Sequence, residues 1–284
     1  MAVGGTNDPS TPRQRTLAGR SGCRPQRLEG SSRARRSRVE GRRSGAPGLP
    51  GGLHAAGVLA EGRDGGWWFH GWAVPSIMAG VSPRHLEPAA CLRLLPPGVR
   101  TASAEQVHGG SVAVLGRFEA DGPPVPGCDA LVTGTAGVAL FIRTADCLPI
   151  LFADPSRGVI GIAHAGWRGL AAELPARVLA VLRHVYHTRI DDLWVAIGPA
   201  IRACCYEVGP EFVESFGPFV QERAGRRTCD LIGAASTALR QCGIRPAHLC
   251  DSGLCTACEA QRWFSVRRDG PATGRMVSFI AVKP

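Results

Sequence analysis

A chain of 284 residues, 44% hydrophobic and 20% charged, has globular composition and a length for one large domain or two small ones. No apolar run reaches the roughly 18–20 residues of a membrane-spanning helix, and no short apolar stretch follows the N-terminal charges as in a secretory signal. The formal charge of +10 is concentrated at one end: 11 arginines and three acids give residues 1–48 a net of +8, leaving +2 for the other 236 residues, so a nucleic-acid surface is not expected on the body of the chain.

Residues 1–52 are rich in Arg, Gly, Ser and Pro and poor in large apolar side chains. Such a stretch cannot bury enough surface to offset its ordering entropy, so it is predicted to be a disordered basic tail before a domain at 53–284. Ala130–Thr133, Val138–Ile142, Leu148–Ala153 and Val159–Ala163 are short apolar runs bounded by Gly, Asp and Pro, and are predicted as buried strands. Leu174, Val178, Leu182 and Val185 recur at helical spacing, with Pro175 tolerated in the first turn. Leu193–Ile197 is predicted as a strand. Asp230 can cap a helix running to Gln241, with Gly243 just past its end, and Met276–Val282 is predicted as the last strand. Strands partly alternate with helices and partly follow one another, which predicts a mixed α/β domain.

Three residue types of chemical interest stand at the edges of these strands: His108, Cys147 and His164. Cys147 begins one predicted strand and His164 ends the next, so an antiparallel turn would bring them together. Two imidazoles and a thiolate suit a three-ligand zinc site that would acidify a bound water and supply hydroxide at neutral pH. The same residues suit a cysteine nucleophile with a histidine base, or a buried thiol beside two hydrogen-bonded histidines. Spacings of 39 and 17 residues match no local metal signature and leave all three readings open.

Cys255-Thr256-Ala257-Cys258 would need a second pair to form a zinc knuckle. Cys250 and His248 lie nearby at irregular spacing, and the adjacent Cys204 and Cys205 would point to opposite faces of a strand. Ordinary thiols are therefore expected there. The 11 cysteines, too sparse for a disulfide scaffold, fit a reducing cytoplasm. Arg267, Arg268 and Arg275 form a basic turn that suits phosphate or carboxylate, or simply solvent. Neither a Walker A loop nor a dinucleotide-binding Gly-x-Gly-x-x-Gly is present.

Several motifs in order resemble one family: Gln106-Val107-His108-Gly109, Thr144-Ala145-Asp146-Cys147-Leu148-Pro149, His164-Ala165-Gly166-Trp167-Arg168-Gly169, Gly198-Pro199-Ala200-Ile201, Cys205-Tyr206-Glu207-Val208 and Phe264-Ser265-Val266-Arg267-Arg268-Asp269-Gly270. Together with Thr273-Gly274-Arg275, they are similar to the YfiH family, also called the laccase-domain or multicopper polyphenol oxidase family, over roughly residues 100–282. The resemblance implies an α/β fold of mixed sheets sandwiched between helices, with a metal on His108, Cys147 and His164. Zinc is the implied ion and copper the older claim. The implied activities are phosphorolysis of adenosine, inosine, guanosine and methylthioadenosine, and deamination of adenosine. Alternatives are a cysteine- or metal-dependent hydrolase that edits a peptidoglycan precursor, and a polyphenol oxidase. For the oxidase, no clustered histidines beyond His108 and His164 suit a three-copper centre.

Purine nucleoside and phosphate are the implied partners, and a cytoplasmic location is expected. Arg168, Arg267 and Arg268 are candidates to clamp phosphate, and Asp146 and Glu207 to bond the purine or ribose. The family's N-terminal segments depart most. Ser76–Ser82 stands where an aromatic-Thr-Arg strand and a Gly-Gly-Val-Ser turn are expected, with Met78 in place of the arginine. The Ser-Leu-Asn-Leu and His-Val-Gly-Asp-Asp segments are absent between Ser82 and Glu105, which predicts a truncated or diverged first third.

Overall fold

Apolar runs without polar alternation form strands when both of their faces are covered, and a computed structural model shows how that cover is arranged. It describes residues 58–62, 65–70, 76–87, 90, 95–116, 120–223 and 225–283. The expected disordered tail at 1–52 lies outside the described residues.

The first sheet joins β1 (Val58–Glu61), β2 (Trp67–His70), β3 (Ile77–Val81), β4 (Arg100–Ser103), β7 (Val138–Thr144) and β14 (Met276–Val282), in the order β1-β2-β3-β14-β7-β4. The second joins β5 (Val112–Leu115), β6 (Ala130–Thr133), β8 (Leu148–Asp154), β9 (Val159–Ala165), β10 (Trp194–Ile197) and β13 (Leu249–Asp251), in the order β13-β10-β8-β9-β6-β5. Parallel pairs β4/β7, β5/β6 and β10/β13 sit among antiparallel ones, so both sheets are mixed. A separate hairpin joins β11 (Val220–Arg223) and β12 (Arg226–Cys229).

The two sheets pack face to face. Leu140, Ile142 and Ile280 of the first meet Leu131, Leu151, Ile160 and Ile162 of the second in one buried cluster. Strand alternation sends the other half of β8, namely Leu148, Ile150 and Phe152, to the opposite face. There α2 (Leu174–Tyr186) and α4 (Leu231–Gln241) cover them with Leu174, Val178, Leu182, Ala235 and Leu239. Every residue of β8 and β9 is therefore buried, which is why these strands carry no polar alternation. Leu86, Leu95 and Val99 lie over Ala139 and Phe279 on the outer face of the first sheet.

Local signals explain the ends of the longer helices. Pro175 occupies the first turn of α2, where no backbone N–H is needed. The Asp230 carboxylate accepts the N–H of Gly233 at 2.9 Å to cap α4, and Gly243 follows at φ +101°. Three shorter helices complete the set: α1 (Trp167–Ala171), α3 (Phe212–Phe216) and α5 (Val266–Asp269).

The diverged N-terminal segment still closes the first sheet. β3 pairs with β14, placing Met78 opposite Ala281, and a Cβ at Gly80 would come within 2.8 Å of the Trp67 carbonyl. Glycine at that position lets β2 and β3 approach. Among the described residues, no helix is long and apolar enough to cross a membrane.

Candidate active site

The β8–β9 pairing builds the first half of the site. Its antiparallel register sets Leu148 opposite Ala165 and Pro149 opposite His164, so Cys147, one residue before β8, meets His164 at one end of the second sheet. His108 arrives from the segment between β4 and β5 with a left-handed backbone, φ +60°. A single carboxylate brings it there. Asp129, fully buried, accepts the N–H of His108 at 2.9 Å and that of Gly109 at 2.7 Å, while its Oδ1 lies 2.8 Å from Nδ1 of His164.

Asp129 thus fixes the backbone of one histidine and the ring of the other. With Nδ1 of His164 engaged, Nε2 is left to ligate. The ligand atoms of His108, Cys147 and His164 lie within 4.8 Å of one another, and the two imidazole rings stand edge to face with centroids 4.7 Å apart. Gly166 leaves room for them: a Cβ there would lie 3.0 Å from the Cys147 sulfur and 3.5 Å from Cδ2 of His108.

Burial works against charge on each of these groups, and their neighbours outweigh it. Burial raises the Cys147 thiol, but hydrogen bonds from His108 and His164, with their positive charge, bring it down to about 7. Burial disfavours a charged His164, but Asp129 and the Cys147 sulfur push it up to about 9. Asp129 is held below the usual carboxylate range, its desolvation outweighed by His164 and the two backbone N–H groups. The protein alone therefore favours a thiolate beside an imidazolium, so sulfur is already in the state that metal ligation requires. Two imidazoles and a thiolate with one side open fit zinc. No further histidine joins the cluster among the described residues, which does not fit a three-copper centre.

The triad forms the floor of a cavity of ≈ 810 Å³. Of the residues expected from sequence to bind substrate, Asp146 and Arg267 line it. The Asp146 oxygens accept the Thr256 hydroxyl at 2.6 Å and the Arg267 N–H at 2.7 Å, tying three loops together beside Cys147. Arg267 donates to the Glu207 carbonyl at 2.7 Å, with its guanidinium 5.1 Å from the Tyr206 ring centroid.

Arg168, Glu207 and Arg268 lie outside the cavity wall. Arg168 is exposed and stacks 4.4 Å from the Trp167 ring centroid. The Glu207 carboxylate pairs with Arg226 at 2.9 Å. The Arg268 guanidinium is occupied by the carbonyls of Thr256, Ala257 and Trp263 and by the Asp269 carboxylate.

The structure adds residues that sequence reasoning missed. Asp129 is one; its signal is a carboxylate opening a strand, Ala130–Thr133, that is otherwise buried along its length. Arg143 is another, the sole charged residue of β7, lining the cavity with a guanidinium that has no partner among the described residues. Gln106 positions it by pairing with its backbone, accepting the Arg143 N–H at 2.8 Å and donating to the Arg143 carbonyl at 2.6 Å. Tyr206 and Arg275 also line the wall.

Comparison with known proteins adds an independent line. A family model described as Multi-copper polyphenol oxidoreductase laccase matches residues 89–283. Purine nucleoside phosphorylase YlmD of Geobacillus stearothermophilus is 37% identical over 199 residues, 65% of this chain and 73% of that protein. The crystal structure of YlmD from that species superposes with a TM-score of 0.73 at 30% identity, covering 80% of this chain and 100% of the other. A purine nucleoside phosphorylase of Deinococcus radiodurans is 40% identical over 186 residues, 64% of this chain and 70% of that one. Adenosine deaminase RL5, from an unknown prokaryotic organism, is 35% identical over 185 residues, 60% of this chain and 70% of its own length.

Proposed function

The chain belongs to the multi-copper polyphenol oxidoreductase laccase family, and from that premise we propose that it is a purine nucleoside phosphorylase whose metal, zinc, is held by His108, Cys147 and His164. Adenosine, inosine, guanosine and methylthioadenosine are the proposed nucleosides, with deamination of adenosine as a second activity. The observation that carries the reading is Asp129, which orients both histidines beside Cys147 on the floor of a cavity with arginines in its wall.

A volume of ≈ 810 Å³ accommodates a nucleoside and a phosphate together. In phosphorolysis a phosphate oxygen bonds C1′ of the ribose as the C1′–N9 bond breaks, and the purine leaves with a proton. The work left to the protein is to hold an anion against C1′ and to keep the base in place. Arg143, free and facing the cavity, and Arg267 are suited to the anion. Tyr206, its hydroxyl pushed up to about 12 mainly by burial, stays protonated and can donate a hydrogen bond to the purine or ribose. A bound zinc supplies Lewis acidity and lowers the pKa of a water it holds toward neutrality, which is what deamination at C6 of adenine requires.

One observation favours a second reading. Cys147 at about 7 beside His164, with Asp129 behind the imidazole, is also an arrangement for a thiolate nucleophile, as in a hydrolase acting on a peptidoglycan precursor. A single assay separates the two. Phosphate-dependent release of hypoxanthine from inosine is measured on wild type and Cys147→Ala, with metal content determined on both. Phosphorolysis that disappears in the variant together with about one metal ion per chain is the expected result. Turnover that needs neither phosphate nor metal and stops on thiol alkylation would move the assignment to the hydrolase.

A further inference from the structure

Four cysteines outside this site converge on a second point. β10 ends at Ile197, and the chain then runs to a turn carrying Cys204 and Cys205. A second turn carries Cys255 and Cys258. A parallel bridge between Ala200 and Cys255 aligns the two segments, the N–H of Thr256 donates to the Ala200 carbonyl at 3.1 Å, and Arg202 clamps Asp251 with two bonds of 2.8 Å. The expectation that adjacent Cys204 and Cys205 could not share a site assumed a strand. On a turn, successive side chains need not alternate, and both sulfurs reach the Cys258 sulfur, at 3.5 and 3.4 Å.

We propose that Cys204, Cys205, Cys255 and Cys258 form a tetrathiolate site for a structural zinc ion, separate from His108, Cys147 and His164. The four sulfurs lie within 4.8 Å of one another, and the Cys204–Cys255 pair is 3.6 Å apart. Four zinc–sulfur bonds of about 2.3 Å in a tetrahedron place the sulfurs about 3.8 Å apart, close to this spacing. An iron–sulfur cluster inserts an inorganic core between its cysteines and needs a wider set.

The surroundings favour ligation. The backbone N–H groups of Cys258, Arg202 and Ala257 donate to the buried Cys255 sulfur, the pattern that supports a thiolate ligand. The site would join the segment leading directly to Tyr206 with the one carrying Thr256, the residue that donates to Asp146 next to Cys147. It is therefore assigned the role of bracing one wall of the cavity.

Cobalt substitution in the full-length Cys147→Ala protein isolates the second site. The expected result is about one cobalt per chain, with the sulfur-to-metal charge transfer and intense visible bands of tetrahedral thiolate, both lost on adding Cys258→Ser. A metal-free Cys147→Ala protein, or a disulfide within the four that leaves the reduced protein unable to bind cobalt, would overturn the assignment. Metal analysis of wild type against Cys258→Ser does not depend on the Cys147 variant folding. Cys258 is exposed, and its loss should remove one zinc per chain; equal metal content in the two proteins refutes the site. Failure of the active-site reading has a different signature: Cys147→Ala then holds as much metal as wild type.

Discussion

Replacing Asp129 with asparagine tests the logic of the site in its most buried residue. The carboxylate accepts three donors: the His108 N–H and His164 Nδ1 on one oxygen, the Gly109 N–H on the other. Asparagine has the same shape but one acceptor. If its oxygen keeps His108 and His164, its NH2 group faces the N–H of Gly109 across 2.7 Å. One charge-assisted bond is lost and one buried donor is left unmatched, which together cost about 3–5 kcal/mol. At about 2–4 °C per kcal/mol for a domain of this size, the metal-free protein should lose roughly 6–20 °C in Tm. Because Asp129 also sets the His164 ring proposed as a ligand, zinc affinity should fall about 10–100-fold, as for other carboxylates behind a metal-bound histidine. Differential scanning fluorimetry on chelated protein and competitive zinc titration measure the two effects. A variant with unchanged Tm and unchanged zinc affinity would refute the claim that Asp129 assembles the site.

Three further outcomes are expected. Arg143→Met should raise the KM for phosphate about 10–100-fold, the worth of a charge-assisted contact, while Arg168→Met, outside the cavity wall, leaves it unchanged; the reverse order in steady-state kinetics would return the clamp to Arg168. Gly166→Ala places a methyl 3.0 Å from the Cys147 sulfur, so kcat/KM should drop about 100-fold with little change in Tm; full activity would mean that Cys147 is free to move. Metal-free protein should show a Tm that is flat between pH 7 and 9, because two linkage slopes cancel there. Cys147, lowered from 9.0 to about 7, adds stability as pH rises through that interval and loses it as pH falls through about 7, whereas His164, raised from 6.5 to about 9, adds stability below 6.5 and loses it as pH rises through about 9. Cys147→Ala removes the rising slope and leaves His164 on Asp129, so its Tm should fall across the same interval; a flat profile in the variant contradicts the pairing.

The legible parts of the fold were those where one physical demand dominates. Strands β6, β8 and β9 show as unbroken apolar runs because two layers bury both of their faces, and β14 runs over the predicted Met276–Val282. β1 and β2, Val58–Glu61 and Trp67–His70, were not read as strands, because so short an apolar run does not by itself separate a strand from a buried turn of helix. Cys147 and His164 could be paired from sequence because an antiparallel turn between adjacent strands leaves few alternatives. His108 could not, because its link to them passes through Asp129, 21 residues away in the bend just before β6. Its place was legible through the family motif alone.

The arginines show where sequence reasoning about function runs out. Arg143, Arg168, Arg267 and Arg268 all sit near motif residues, and composition gives no reason to rank them. Their roles follow from which acceptors the fold leaves unmatched around each one. The turn at 255–258 and the segment 263–265 present carbonyls of Thr256, Ala257 and Trp263 toward one point, and Arg268 is consumed in satisfying them. Arg143 is held at the end of β7 by the Gln106 side chain pairing its backbone, and no acceptor among the described residues meets its guanidinium, which lines the cavity. A guanidinium is spent on structure when carbonyls and carboxylates of the chain surround it, as at Arg268, and is available for recognition when they do not, as at the exposed Arg143. By that criterion Arg143 is the arginine we propose for the anion, with Arg267, whose guanidinium spends one bond on the Glu207 carbonyl, beside it, while Arg268 belongs to the scaffold.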